Sequence, residues 1–112
     1  MRRLLTDAMS NKGISGIYNV GAANDGLIDV LSKRSKATQP FCVAHELSNH
    51  TRKGLIDGVL DIAIDQRPEI ELNRALSLLR AASDGLPPPP TSELIPAIYL
   101  RDNLPNDQLI EE

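Results

Sequence analysis

The sequence predicts an α/β fold built on a parallel sheet of three to four strands with flanking helices. Short apolar runs of strand type alternate with segments of helical periodicity. The connections between them are short, and each apolar run ends in polar or glycine-containing turn residues. Strand, helix and strand in that succession need right-handed crossovers, and hence parallel pairing.

The elements can be justified in order. Leu4, Leu5, Ala8 and Met9 place part of a helix in the first eleven residues, ending at Gly13. Residues 14–20, rich in β-branched and aromatic types, form a strand that runs into the turn Gly21 to Gly26. Asn24 then caps a helix over 25–34, with Asp25 in its first turn, Leu27, Val30 and Leu31 on one face, and Lys33 and Arg34 at its carboxyl end. Phe41 to Ala44, introduced by Pro40, is a short continuous apolar run, as expected of a strand covered on both faces. Ser48 caps a shorter helix carrying Leu55 and Ile56, which leaves through Gly58. Residues 59–64 form a third strand. Pro68 suits the first turn of a further helix, and Leu72, Ala75, Leu76, Leu79 and Ala82 give it a continuous apolar stripe up to Asp84-Gly85. Pro87 to Pro90 make an extended connector, and residues 94–100 a last strand that Pro96 restricts to an edge or an irregular start.

Composition narrows the function. The 112 residues fit one domain at most, and 41% apolar with 24% charged residues is ordinary for a globular chain. A net charge of -3 gives no electrostatic footprint for a phosphate backbone. Tyr18, Phe41 and Tyr99 are the only aromatics, too few for a base-stacking platform. Cys42 lies in an apolar run and reads as a small buried hydrophobe in a reducing, cytoplasmic setting. Thr6 and Asp7 interrupt the opening Met-Arg-Arg-Leu-Leu before a secretory apolar region accumulates. No run approaches the roughly 18 residues of a membrane span, so no membrane partner is expected.

In open α/β sheets, ligands bind beyond the carboxyl ends of the strands. Those ends are polar here: Gly21 to Asp25, His45-Glu46 and Asp65-Gln66. Carboxylates, amides and an imidazole from three neighbouring strands suit a polyhydroxylated ligand, although caps and solvated turns need the same residue types. Sharper motifs fail. Gly21 to Gly26 has the outer spacing of a phosphate loop, but Leu27 and Ile28 stand where Lys and Ser or Thr belong. Ala23 replaces the second glycine of a dinucleotide fingerprint. His45-Glu46 opens like a zinc-protease helix, but Asn49 occupies the place of the second histidine. Asn49-His50-Thr51 matches a glycosylation acceptor only formally. No metal, cofactor or catalytic nucleophile is expected. A small α/β enzyme or phosphoacceptor domain using Asp65 or Glu46 is the remaining catalytic alternative.

Residues 17–26 (Ile-Tyr-Asn-Val-Gly-Ala-Ala-Asn-Asp-Gly), 43–47 (Val-Ala-His-Glu-Leu) and 57–68 (Asp-Gly-Val-Leu-Asp-Ile-Ala-Ile-Asp-Gln-Arg-Pro) resemble, in order and spacing, the carboxyl-terminal half of the sugar-sensing domain of LacI/GalR-type transcriptional regulators. Residues 99–104 resemble the strand by which such domains return to their first lobe. The resemblance implies the periplasmic-binding-protein type I fold, here as part of a Rossmann-like three-layer lobe over residues 1–85, followed by a proline linker and return strand over 86–112. It implies reversible binding of a sugar-like effector between two lobes, without catalysis. Contact with DNA would be made only through a helix-turn-helix that is not in this sequence. By motif, Asn24 and Asp25 correspond to the cleft-lining loop, Glu46 to an acidic residue on sugar hydroxyls, and Gln66 to a cleft glutamine. His45 stands beside Glu46 where Tyr is frequent, and Glu46 itself where Asp is commoner. A solute-binding protein of a sugar transporter, which shares the fold, is the alternative. On this reading the chain is a fragment that lacks the strand beside 14–20. An open sheet edge, and with it a homo-oligomer, is then expected.

Overall fold

The computed structural model describes residues 2–10, 13–90 and 92–106. They form two units, the described residues of 2–65 with 98–106 and those of 66–97, taken separately below.

In the first unit, α1 (Arg2–Met9) leads to β1 (Gly16–Asn19), α2 (Asn24–Ser32), β2 (Phe41–His45), α3 (Asn49–Ile56) and β3 (Ile62–Asp65). The short β4 (Ala97–Tyr99) brings the chain back, and the strand order is β1-β2-β3-β4. The pairs β1–β2 and β2–β3 are parallel, with Ile17 opposite Cys42 and Ala44 opposite Ala63. The α/β fold with a four-stranded sheet and flanking helices is therefore present.

Register and alternation sort the side chains into two faces. Ile17, Cys42, Ala44 and Ala63 point to one, where they meet Leu27 and Leu31 of α2, Leu55 of α3, and Met9 of α1. Cys42, Ala44 and Ala63 are wholly inaccessible, and small residues there let the helices lie close to the sheet. Burying each of the three leucines contributes about 1.5–3 kcal/mol. Tyr18, Phe41, Val43, His45, Ile62 and Ile64 point to the opposite face, and none of them belongs to the core cluster. The first unit by itself thus comprises two of the three expected layers.

Four local expectations need correction. The N-cap of α2 is Ala23, in left-handed backbone at φ 71°, and not Asn24, whose side chain serves elsewhere. The third strand begins at Ile62 and not at residue 59. Gly58, at φ 75°, closes α3 through a bond from its N–H to Leu55 O and one from Val59 N–H to Gly54 O. Val59 and Leu60 are therefore held in the helix exit, buried in the core but outside the ladder. The last strand shrinks to Ala97–Tyr99, directly after Pro96. The apolar run 41–44 lies on a strand covered on one face, since Phe41 is 55% exposed.

The second unit is dominated by α4 (Pro68–Ser83). It starts as the sequence predicts, with Pro68 in its first turn beside Glu69 and Glu71. It ends at Gly85, φ 67°, where the Gly85 N–H reaches Ala82 O and the Leu86 N–H reaches Ala81 O. The expected apolar stripe is present on α4. The Arg74 guanidinium donates to the backbone and side-chain oxygens of Ser92, fastening the stretch after the prolines to the helix. The expected end of the first helix at 11–13 and the end of the return segment fall partly outside the described residues.

Candidate functional site

Two loops converge beyond the carboxyl ends of β1 and β2, and both are shaped by residues in left-handed backbone. Ala23 (φ 71°) ends the β1–α2 loop, and Glu46 (φ 75°) opens the β2–α3 loop. Arg67 (φ 53°) occupies the same place after β3. Non-glycine residues pay about 1–2 kcal/mol to sit there, and they persist only where the surroundings fix them.

The surroundings at Glu46 are explicit. Its N–H donates to Ile64 O at 2.8 Å, continuing the β2–β3 ladder by one residue. Its carbonyl accepts from Thr51 Oγ1 at 2.9 Å. Thr51 is completely buried and also forms a capping box with Ser48, whose N–H it accepts at 2.8 Å while its own N–H reaches Ser48 Oγ at 3.3 Å. Glu46 is thus gripped on both sides of its backbone while its side chain is exposed.

Asn24 serves the other loop. It is 7% exposed, accepts from Asn19 Nδ2 at 2.8 Å, and donates through Nδ2 to His45 O at 2.7 Å. One amide therefore ties the end of β1, the start of α2 and the end of β2 together.

Between these loops lies an open recess of about 320 Å³, lined by Ala23, Asn24, Asp25, Glu46, Ser48 and His50 among others. Asp25 and Glu46 bring two carboxylates to it, His50 an imidazole and Ser48 a hydroxyl. The first turns of α2 and α3 both border it. Carboxylates accept from two adjacent hydroxyls, while hydroxyl and imidazole groups donate or accept, so the rim can chelate a polyol.

Of the residues singled out in sequence, Asn24, Asp25 and Glu46 come together at this recess. The side chain of Asn24 is consumed by the scaffold. His45 points to the open sheet face, where its Nε2 shares a hydrogen bond with Tyr18 Oη and the rings meet edge-on at 5.4 Å. Its Nδ1 is buried with no hydrogen-bond partner among the described residues. Gln66 opens the second unit and is exposed. Ser48 and His50 were not singled out for the site. Their only signal was position, in the cap and first turn of a helix that starts three residues after a strand end. A second recess, of about 340 Å³, lies on α4 beside Pro89 and Pro90. It holds no carboxylate or imidazole, and Arg74 there is spent on Ser92.

Burial pushes the Cys42 thiol up to about 12, with the nearby Asp61 carboxylate adding to the shift. Asp61 accepts from the Cys42 N–H at 2.8 Å. Cys42 is therefore a core residue, not a nucleophile.

Neither a scan against protein-family models nor a search of curated proteins found a match. Among solved structures, the chain is similar to GanP, a glucose-galactose binding protein from Geobacillus stearothermophilus, with a TM-score of 0.77 and 14% identity. The fold is that of a periplasmic-binding-type lobe. The likeness covers 93% of this chain and 38% of that one, so the chain spans well under half of its structural neighbour. Among the described residues, no helix is long and apolar enough to cross a membrane.

Proposed function

We propose that the chain is the carboxyl-terminal part of the ligand-sensing domain of a LacI/GalR-type transcriptional regulator. It binds a sugar-like effector at the recess between the β1–α2 and β2–α3 loops, without catalysing a reaction. One observation carries the ligand reading: Asp25, Glu46, Ser48 and His50 border a single recess at the strand ends, on loops whose backbone is fixed in costly conformations. The glucose-galactose binding of the structural neighbour supports a sugar as the class of ligand. The resemblance of residues 17–26, 43–47 and 57–68 supports the regulator, with DNA contacted through a separate helix-turn-helix. A cytoplasmic location follows from that reading.

One lobe's rim leaves the far side of a small ligand in water, so affinity for the isolated chain is weak, with Kd on the order of 1 mM or above. Titration with glucose and galactose, followed through the backbone amide NMR signals of Asp25, Glu46 and Ser48, tests this. Saturable shifts at those amides that disappear in Glu46→Gln are expected. No shift up to about 100 mM, or shifts that survive the substitution, would overturn the assignment.

A solute-binding protein of a sugar transporter is the second reading, favoured by the neighbour itself. Sequencing the coding DNA upstream separates the two. An in-frame helix-turn-helix supports the regulator, and a secretion signal the transporter.

A further inference from the structure

We infer that the cationic groove between α1 and the carboxyl end of α2 binds the phosphate group of a small phosphomonoester. The groove is a recess of about 290 Å³, lined by Arg2, Met9, Asp29, Val30, Lys33 and Arg34 among others. All of these residues belong to the first unit. The groove lies at the opposite end of α2 from Asp25 and shares no lining residue with the recess beyond the strand ends.

Its charge is unbalanced. Asp29 is the one carboxylate of the lining, and its Oδ2 takes both Arg2 Nε and Lys33 Nζ at 3.3 Å. Arg34 is half-buried, donates through Nε to Thr38 O at 3.3 Å, and forms no ion pair among the described residues. Three cations thus face a single carboxylate, in a chain whose net charge is -3. Helix electrostatics account for two of them, since Lys33 and Arg34 follow the last turn of α2, where a cation offsets the helix dipole. Arg2 has no such reason. It opens the first turn of α1, which contains no acidic residue, and a cation there opposes the dipole. A dianion in the groove relieves both that opposition and the mutual repulsion of the three cations.

The class of ligand follows from the match. A phosphomonoester carries a charge of about -1.5 to -2 at neutral pH and three strong acceptor oxygens. Guanidinium forks pair with such oxygens two at a time, and an ammonium adds a point charge. Met9, which is buried, and half-buried Val30 give the groove an apolar part on which a short carbon skeleton can rest. The volume lies at the lower edge of small-molecule sites, about 300–1,000 Å³, and suits a compact ester.

The full chain is titrated with glycerol 3-phosphate at constant ionic strength and followed through the backbone amide NMR signals of Val30, Lys33 and Arg34, with inorganic phosphate and glycerol as companion probes. Saturable shifts are expected with a Kd on the order of 1 mM, several-fold weaker for inorganic phosphate and absent for glycerol. Lys33→Gln and Arg34→Gln should each weaken binding about tenfold. Asp29→Asn should tighten it, an effect that damage to the structure would not produce. Lys53→Gln, which removes a cation paired with Asp57 on α3, should leave it unchanged. Lys33 is exposed, so its variant keeps the test open if Arg34→Gln fails to fold. No saturable shift up to about 20 mM, equal affinity for phosphate and its ester, or a Kd indifferent to Lys33→Gln and Asp29→Asn would each overturn the inference. A phosphoserine peptide that binds more than about tenfold tighter than glycerol 3-phosphate would overturn it in favour of a protein partner. The amides of Asp25, Glu46 and Ser48 report the sugar site separately, so failure of the sugar reading leaves this one standing.

Discussion

The side-chain amide of Asn24 donates a 2.7 Å hydrogen bond to the backbone carbonyl of His45, joining the first turn of α2 to the last residue of β2. Asn24 is buried, the bond is part-buried, and the same amide accepts from Asn19. Replacing Asn24 by Ala takes this donor from the His45 carbonyl and leaves Asn19 Nδ2 only its longer 3.4 Å bond to Ala22 O. Losses of this kind cost about 1–3 kcal/mol for each group left unsatisfied. Urea denaturation should show Asn24→Ala destabilised by about 2 kcal/mol, and Asn24→Asp by at least as much, because a carboxylate oxygen would replace the donor that faces the His45 carbonyl. An unchanged midpoint in Asn24→Ala would mean that the clasp contributes nothing.

Left-handed backbone at Ala23 and Glu46 separates stability from recognition. Glycine relieves the conformational penalty at either site, offset by its own loss of freedom, for a net gain of about 1 kcal/mol. Both Ala23→Gly and Glu46→Gly should therefore melt higher than the parent chain. Ala23→Gly should retain the sugar-dependent amide shifts, whereas Glu46→Gly should lose them.

Gly54 marks the closest approach of α3 to its neighbours. A Cβ built there would lie 3.0 Å from Leu60 Cγ and 3.1 Å from Ile28 Cδ1. Alanine gains about 1 kcal/mol in helix propensity, while overpacking a well-filled site costs about 1–3 kcal/mol. The crowding wins on balance, so Gly54→Ala should be less stable by about 1 kcal/mol in thermal or urea unfolding. A more stable variant would show that Leu60 and Ile28 yield freely.

Cys42 sets a pH dependence whose sign can be worked out. Its folded-state value of about 12 lies above the ordinary thiol value of 9.0, chiefly because the thiolate would be buried. The unfolded chain therefore loses this proton first. Stability from this residue is complete below pH 9 and is lost as pH rises from there towards 12. Tyrosines and lysines titrate in the same window, so the informative quantity is the difference from Cys42→Ala. The parent should lose stability more steeply than the variant between pH 9 and 11, the upper practical part of that window. At neutral pH a thiol reagent should modify Cys42 only as fast as the chain opens.

Much of this fold is legible in the sequence because it is local. Ser48, Gly58, Pro68 and Gly85 mark helix ends through conformations that only a few residue types accept, and the structure uses all four as expected. Asn24 shows where legibility stops. Its position suggests a helix cap, yet its partners Asn19 and His45 lie five and 21 residues away in sequence, and they become neighbours only through the pairing of β1 with β2. Thr51 is similar, since a β-branched residue inside a short helix gives no hint that it fixes the backbone of Glu46. The stripe on α4 illustrates another limit. Periodicity identifies which face is apolar, but not whether the covering surface lies in the same chain. At the site, Asp25 and Glu46 follow from their place at strand ends. The turning of His45 towards Tyr18 depends on register and could not be read.

Asn24 and Thr51 hold the two loops of the recess from beneath, while Asp25, Glu46 and His50 reach solvent above them. Framework and rim are thus encoded by different side chains, even where they are sequence neighbours. Substitutions at Asp25 or His50 can change the hydrogen-bonding character of the rim without disturbing the clasp or the capping box. Such a scaffold can acquire a new ligand preference through few replacements, because the part that varies is not the part that folds.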